Sequence, residues 1–312
     1  MQHFIITYGP AGSGKGYIKK SYLQKLADKY PGSDFSEDNT FIAEIDSMVE
    51  EDEEYIYGAT QIMCKFFEDC AKTITSSESL GRFLDSVLLK WNDEPCSGTT
   101  LSKSLTQLYF EIRRKYNSQN DKGITKAMKD GKNVIFETTG QNPNPLDWLW
   151  RCDWNAPLCK NTNYIVSIVF PIVDDEEILN RAKSRFKSRV MQAYKCFKGC
   201  STSIGAREYE KAYSCMRQLE KFIPPRLPDL EELRRLIPNI QDNLVPYIKN
   251  AEIHNIVMVN NNENADKDVM INLRDPNQKI QEFISATNVT KSLQEALLST
   301  QTARVGGKRI NS

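Results

Sequence analysis

The ten residues Tyr8-Gly9-Pro10-Ala11-Gly12-Ser13-Gly14-Lys15-Gly16-Tyr17 constrain this chain more than any others. They follow a short apolar run, residues 3–8, that fits a buried strand. They precede residues 17–30, where Ile18, Tyr22 and Leu26 recur at helical spacing. A strand that passes through glycines into a helix start lets backbone N–H groups converge on an anion, and the helix terminus adds partial positive charge. Gly9-x-x-x-x-Gly14-Lys15 has the spacing of a phosphate-binding loop, whose lysine reaches the β- and γ-phosphates of a nucleoside triphosphate. The residues expected to hold ATP or GTP are Gly9, Gly12, Ser13, Gly14, Lys15, Gly16 and Tyr17. The plain alternative is a glycine-rich turn with a surface lysine, and placement at the first strand–helix junction argues against it.

One departure stands out. The residue after the lysine is usually Ser or Thr, whose hydroxyl ligates Mg²⁺, but here it is Gly16, with Tyr17 next. Mg²⁺ is then expected on phosphates, waters and a carboxylate, and no protein metal ligand is assigned.

The rest of the chain alternates strand and helix patterns, which predicts a three-layer α/β P-loop NTPase fold with a mostly parallel sheet. Further strands are expected at 40–45, 133–136, 164–170 (closed by Pro171) and 253–259. The acidic run 50–54 reads as a solvated helix start. Residues 56–120 read as a helical insertion, with one helix over 101–116 and a separate one over 124–129 after Gly123. Long helices are expected over 174–197 and 206–222, and another begins at 229–237 after the proline-rich break 224–228. Residues 1–285 form the kinase-like domain in this reading, and 286–312 a polar, partly disordered tail.

Composition excludes more than it selects. With 41 basic and 41 acidic residues the net charge is zero, so no global field draws the chain to nucleic acid or a membrane surface. No apolar run reaches the roughly 18–20 residues of a membrane helix, and the N-terminus lacks the basic start and long apolar region of a signal peptide. A cytoplasmic location is expected. The eight cysteines form no Cys-x-x-Cys pair and the two histidines, His3 and His254, lie far from them, so reduced thiols are expected. Cys196 and Cys200 are four apart on a helix and are the one weak pairing for a metal.

Ligands of open parallel sheets lie beyond the C-terminal strand ends. Asp46, after residues 40–45, and Glu137, after 133–136, are the carboxylates expected there. Each suits orienting a hydroxyl, accepting its proton or holding Mg²⁺ through water. A lone acidic residue in such a place is otherwise an N-cap or a solvated turn. Arg181, Arg185 and Arg189 repeat every four residues, as a phosphate-neutralising stripe or a solvated basic face. Arg226 lies between Pro225 and Leu227-Pro228, a rigid setting for a guanidinium. Asp147 and Trp148-Leu149-Trp150 suit a pocket lid or a core segment.

In this order the elements resemble the zeta-toxin family of P-loop kinases over most of residues 1–262. The similar segments are Gly9 to Lys15, Ile45-Asp46, Val134 to Gly140, Val169-Phe170-Pro171 before an arginine-bearing helix, Arg226-Leu227-Pro228 before a helix reaching Asn243-Leu244, and Asn260-Asn261-Asn262. The resemblance implies transfer of the γ-phosphoryl group to a hydroxyl of a small acceptor, such as a sugar nucleotide. It makes Asp46 the base, Glu137 and Thr139 acceptor-binding residues, and Arg226 with Arg185 (or Arg181) the phosphate-stabilising arginines. Gln141 stands where the family often has a basic residue, so the acceptor is not carried over. A nucleoside or polynucleotide kinase, or a nucleotide-binding scaffold without transfer, are the rival readings.

Overall fold

The computed structural model describes residues 2–70, 76–89, 96–139, 163–205, 217–228, 230–248, 253–263, 270–273, 275 and 279–307. The chain divides into two compact units. The first comprises Met1–Glu44, Ser118–Ile178 and Leu230–Ser312, and the second Ile45–Asn117 and Leu179–Asp229.

The first unit is built on a six-stranded sheet of order β2-β3-β1-β4-β5-β6. Its strands are β1 (Gln2–Tyr8), β2 (Thr40–Ala43), β3 (Asn133–Thr138), β4 (Tyr164–Ile172), β5 (Asn255–Asn260) and β6 (Met270–Asn272). All pairings are parallel except β5 with β6. The parallel strands are apolar on both faces because helices cover both. Ile5, Ile135, Val169 and Val257 face α1 (Lys15–Lys29), where Ile18, Tyr22 and Leu26 form one buried stripe. Phe4, Ile6, Phe136, Ile168 and Met258 share the opposite core with Ile240 and Leu244 of helix Leu230–Ile248. Each such side chain taken fully out of water contributes about 1.5–3 kcal/mol. The result is helix, sheet and helix in three layers.

The second unit is helical. It holds α2 (Ile45–Glu50), α3 (Glu53–Asp69), α4 (Ser77–Leu89), the part of α5 (Gly98–Lys129) up to Asn117, and the part of α6 (Asp175–Gly205) from Leu179. Met63, Phe67, Leu80, Leu84, Leu105, Tyr109, Phe186 and Val190 are its core. The acidic run resolves into a helix start as expected: Asp52 caps α3 by accepting from the N–H groups of Glu54 and Tyr55 at 2.8 and 3.0 Å.

Several expectations need correction. Gly123 does not separate two helices, since α5 is one helix of 32 residues. The glycine answers a close approach instead: a Cβ there would run into the Phe41 ring. Pro171 does not close β4, which continues through it to Ile172. The Ile172 carbonyl accepts from Asn261 N on the β5 side, so the preceding residue's nitrogen faces β1, whose pairing has already ended at Thr7↔Val169. A proline costs no ladder bond there. Residues 40–45 do not all extend, because β2 ends at Ala43 and Ile45 opens α2, packing with the fully buried Val49 on the second unit's core.

The helix begun at Leu230, now α7, runs to Ile248. Beyond it α8 (Ile280–Ser285) ends the stretch expected as the domain, and the stretch expected as a polar tail carries α9 (Lys291–Gly307), whose Leu293, Ala296 and Leu297 are buried in the sheet's core. The small strand β6 had no sequence counterpart. Most of the helix expected over 206–222 lies outside the described residues; within them, Glu220–Phe222 is a 3₁₀ turn. Cys70 and Cys96 are disulfide-bonded, although reduced thiols were expected. The end of α3 and the residues before α5 bring their Cα atoms to 5.5 Å, a separation that a bridge spans. Cys200 is also disulfide-bonded, which removes it as a metal partner for Cys196.

Candidate functional site

In the first unit β1 delivers the chain into the glycine loop. Gly9, Gly12 and Gly14 have φ of 142°, 86° and 86°, values that residues other than glycine rarely adopt. At Gly9 a Cβ would also press on Ser13 Oγ at 3.3 Å. Two contacts pin the loop: Gly9 N donates to Thr138 O at 3.2 Å, and Asn261 Nδ2 donates to Ser13 O at 2.7 Å. The asparagine run after β5 thus fixes the loop's shape. Ser13 Oγ is buried and has no hydrogen-bond partner among the described residues.

Lys15 is only 7% exposed, and its ammonium has three N–H donors to place. Gly9 O and Pro10 O accept at 3.0 and 3.1 Å, and Glu137 Oε1 lies 3.3 Å away. Glu137 arrives there because β3 pairs beside β1 with Thr7↔Glu137 in register. Lys19, one helical turn after Lys15, faces Glu44 Oε2 at 3.4 Å and Glu137 Oε2 at 4.0 Å. Burial pushes the Glu137 carboxyl pKa up and Glu44 adds to this, while Lys15 and Lys19 oppose it. Two carboxylates and two lysines therefore meet at the tips of β2 and β3. Lys19 and Glu44 escaped the sequence reading. The four-residue step from Lys15 to Lys19 is a sequence signal for one, whereas Glu44 emerges only once β2 is seen to end at Ala43.

Gly16 and Tyr17 lie in the first turn of α1. A Cβ at Gly16 would meet nothing within 4 Å, and Tyr17 is 59% exposed. Thr139 follows β3 and is half-buried. Gly140, Gln141, Asp147 and Trp148-Leu149-Trp150 lie outside the described residues.

The second unit brings Asp46 and Arg226 together. Asp46 is in the first turn of α2 rather than at a strand tip, and the acidic residue that follows β2 directly is Glu44. Arg226 Nη2 stands 3.6 Å from Asp46 Oδ2, and Tyr109 Oη donates a short hydrogen bond to Asp46 Oδ1. The Arg226 guanidinium carbon lies 3.6 Å over the centre of the Tyr109 ring. Leu227 N donates to Ser102 Oγ at 3.1 Å, anchoring the proline-rich segment to α5. Tyr109 could not be picked out in the sequence, where it is one aromatic among many on a helix.

The arginine stripe on α6 divides. Arg189 Nη1 donates to Lys221 O and so braces the 3₁₀ turn before the Arg226 segment. Arg181 is half-buried. Arg185 is exposed and makes no hydrogen bond or ion pair among the described residues.

Strand order, parallel pairing, the left-handed glycines and the buried loop lysine define a P-loop protein of the three-layer α/β class. No family model and no curated protein matches the chain. Among solved structures it is similar to a chain of the PezAT chromosomal toxin-antitoxin system of the human pathogen Streptococcus pneumoniae. That similarity has 12% identity and a TM-score of 0.43, over 98% of this chain and 87% of the other. Likeness at that level adds no weight to a functional reading. Among the described residues no helix is long and apolar enough to cross a membrane.

Proposed function

We propose that this protein is a phosphotransferase that moves the γ-phosphoryl group of ATP or GTP to a hydroxyl of a small acceptor, in the manner of the zeta-toxin kinases its sequence resembles. The loop from Gly9 to Gly16, with the Lys15 ammonium, holds the triphosphate, and Tyr17 lies at the edge of that site. Three features support this part: a buried lysine, the left-handed conformation of Gly9, Gly12 and Gly14, and the Ser13 hydroxyl, which has no partner among the described residues and is one more donor.

The observation that carries the step from binding to transfer is the pairing of Asp46 with Arg226. A carboxylate held at a guanidinium, yet 40% exposed, suits orienting an acceptor hydroxyl and receiving its proton. Phosphoryl transfer proceeds through a loose transition state, so placing the hydroxyl and neutralising the equatorial oxygens matter more than a strong base. Arg226 takes the second task with Arg185, and Glu137 and Thr139 position the acceptor.

Mg²⁺ fits the oxygen donors present. Gly16 offers no hydroxyl, but the carboxylates of Glu137 and Glu44 suit a hard cation held through waters. When bound, it would neutralise charge on the β- and γ-phosphates.

Transfer of labelled phosphate from ATP to nucleosides, sugar nucleotides and RNA 5′ ends tests the reading. Lys15→Ala is expected to abolish binding and transfer, and Asp46→Asn to keep nucleotide binding while losing turnover. Full turnover in either variant refutes the assignment. Transfer to nucleosides or RNA ends alone would instead favour a nucleoside or polynucleotide kinase, for which the Gly14-Lys15-Gly16 form of the loop speaks.

A further inference from the structure

Tyr109 touches both members of the second unit's charged pair. It lies in the middle of α5, is 2% exposed, and is packed edge-on by Tyr55 with ring centres 6.2 Å apart. Its two ends do different things. The hydroxyl donates to Asp46 Oδ1, while the ring face carries the Arg226 guanidinium at 3.6 Å. The third side of the triangle is the Arg226–Asp46 ion pair at 3.6 Å. Ser102 lies two helical turns earlier on the same helix and holds the backbone next to Arg226 through Leu227 N. One rigid helix therefore sets the arginine's main chain and its side chain together.

We propose that Tyr109 is a positioning residue that fixes Asp46 and Arg226 against each other, the hydroxyl orienting the carboxylate and the ring orienting the guanidinium. Its service to phosphate transfer rests on the kinase reading above; its hold on the two side chains does not. The chemistry suits the task. A guanidinium stacks flat on an aromatic face and keeps its in-plane N–H donors for anions. An unstacked arginine would sample many rotamers, and each must be lost again when a phosphoryl group is bound. Burial, with the Asp46 carboxylate adding to it and Arg226 opposing, pushes the Tyr109 hydroxyl pKa well above its ordinary value, so the group stays a donor across the working pH range. Phe110, whose ring centre lies 5.5 Å from the guanidinium carbon, is exposed and gives a second, looser apolar wall.

Two variants separate the two ends. Tyr109→Phe deletes the hydroxyl and keeps the ring, whereas Tyr109→Leu deletes both. The Arg226 Nε–Hε resonance, assigned by comparison with Arg226→Lys, reports the stacking without any substrate. In the wild type and in Tyr109→Phe it is expected at a shared ring-current-shifted position, and in Tyr109→Leu at the position of a solvent-averaged arginine. In the transfer assay, Tyr109→Phe is expected to lower kcat by about tenfold or more, the value of one charge-assisted hydrogen bond, with the KM for the triphosphate unchanged. An Arg226 resonance that stays in place in Tyr109→Leu overturns the ring's role, and wild-type kcat in Tyr109→Phe overturns the hydroxyl's. If no acceptor is phosphorylated by the wild type, the kinase reading fails and the resonance alone decides for or against Tyr109. The melting transition of Tyr109→Leu shows whether the unit is still folded when the resonance is read.

Discussion

Replacing His3 with phenylalanine is expected to flatten the acid limb of this protein's stability curve. His3 is fully buried near the start of β1, between the rings of Tyr30 and Phe35 at 5.2 and 5.0 Å. Its Nε2 is 2.8 Å from Ser33 Oγ, and its Nδ1 has no partner among the described residues. Burial lowers its pKa from 6.5 to about 4, so the native ring is neutral where an unfolded one is already protonated. The unfolded chain thus takes up the proton first, and stability falls as pH drops from about 6.5 towards 4. At about 1.4 kcal/mol per pH unit, that gap amounts to about 3 kcal/mol in total, of which about 2 kcal/mol is gone by pH 5.

The assay is urea unfolding of wild type and His3→Phe at about pH 7.5 and about pH 5. Other titrating groups, Glu137 among them, contribute to both curves and cancel in the difference. The wild type should lose about 2 kcal/mol more than the variant over that range. Equal losses would show that the native ring protonates as readily as an unfolded one, and the reasoning from its burial would fail. Phenylalanine keeps the ring contacts, and the half-buried Ser33 can turn its hydroxyl to water, so the variant should fold.

Gly16→Ser should restore the hydroxyl usual after the loop lysine, because a side chain there meets open space. Mg²⁺-dependent ATP affinity, read by calorimetry, is expected to rise on the order of tenfold while metal-free affinity stays the same; an equal change in both would exclude a metal effect. Replacing both Cys70 and Cys96 with serine opens a loop of sequence separation 26, for which chain entropy gives a loss of about 3.5 kcal/mol in unfolding free energy. Urea unfolding checks it, and an unchanged midpoint would mean that the bridge is absent from the protein in solution.

Much of the first unit could be read along the chain, because its signals are local. The glycine loop, the apolar runs of β1, β3, β4 and β5 and the periodicity of α1 each depend on residues within a few positions of one another. Where one residue has two physical uses, the sequence pattern does not choose between them. Gly123 looked like a break and is a close approach, since only the packing of Phe41 distinguishes the two. Pro171 looked like a terminus and sits within a strand, since only the end of the β1 pairing frees its nitrogen from a ladder bond.

Sequence alone places a glycine loop of P-loop spacing between β1 and α1, with Lys15 in it. Tertiary structure decided which carboxylates and arginines keep company. Glu137 meets Lys15 because β3 pairs with β1, and Lys19 and Glu44 join them through the neighbouring pairing of β2 with β3. Asp46 meets Arg226 through Tyr109, and Cys70 meets Cys96, because helices pack around the second unit's core. A backbone motif is written in its own conformational preferences. A meeting of side chains distant along the chain is written only in the burial of the apolar residues that carry them there.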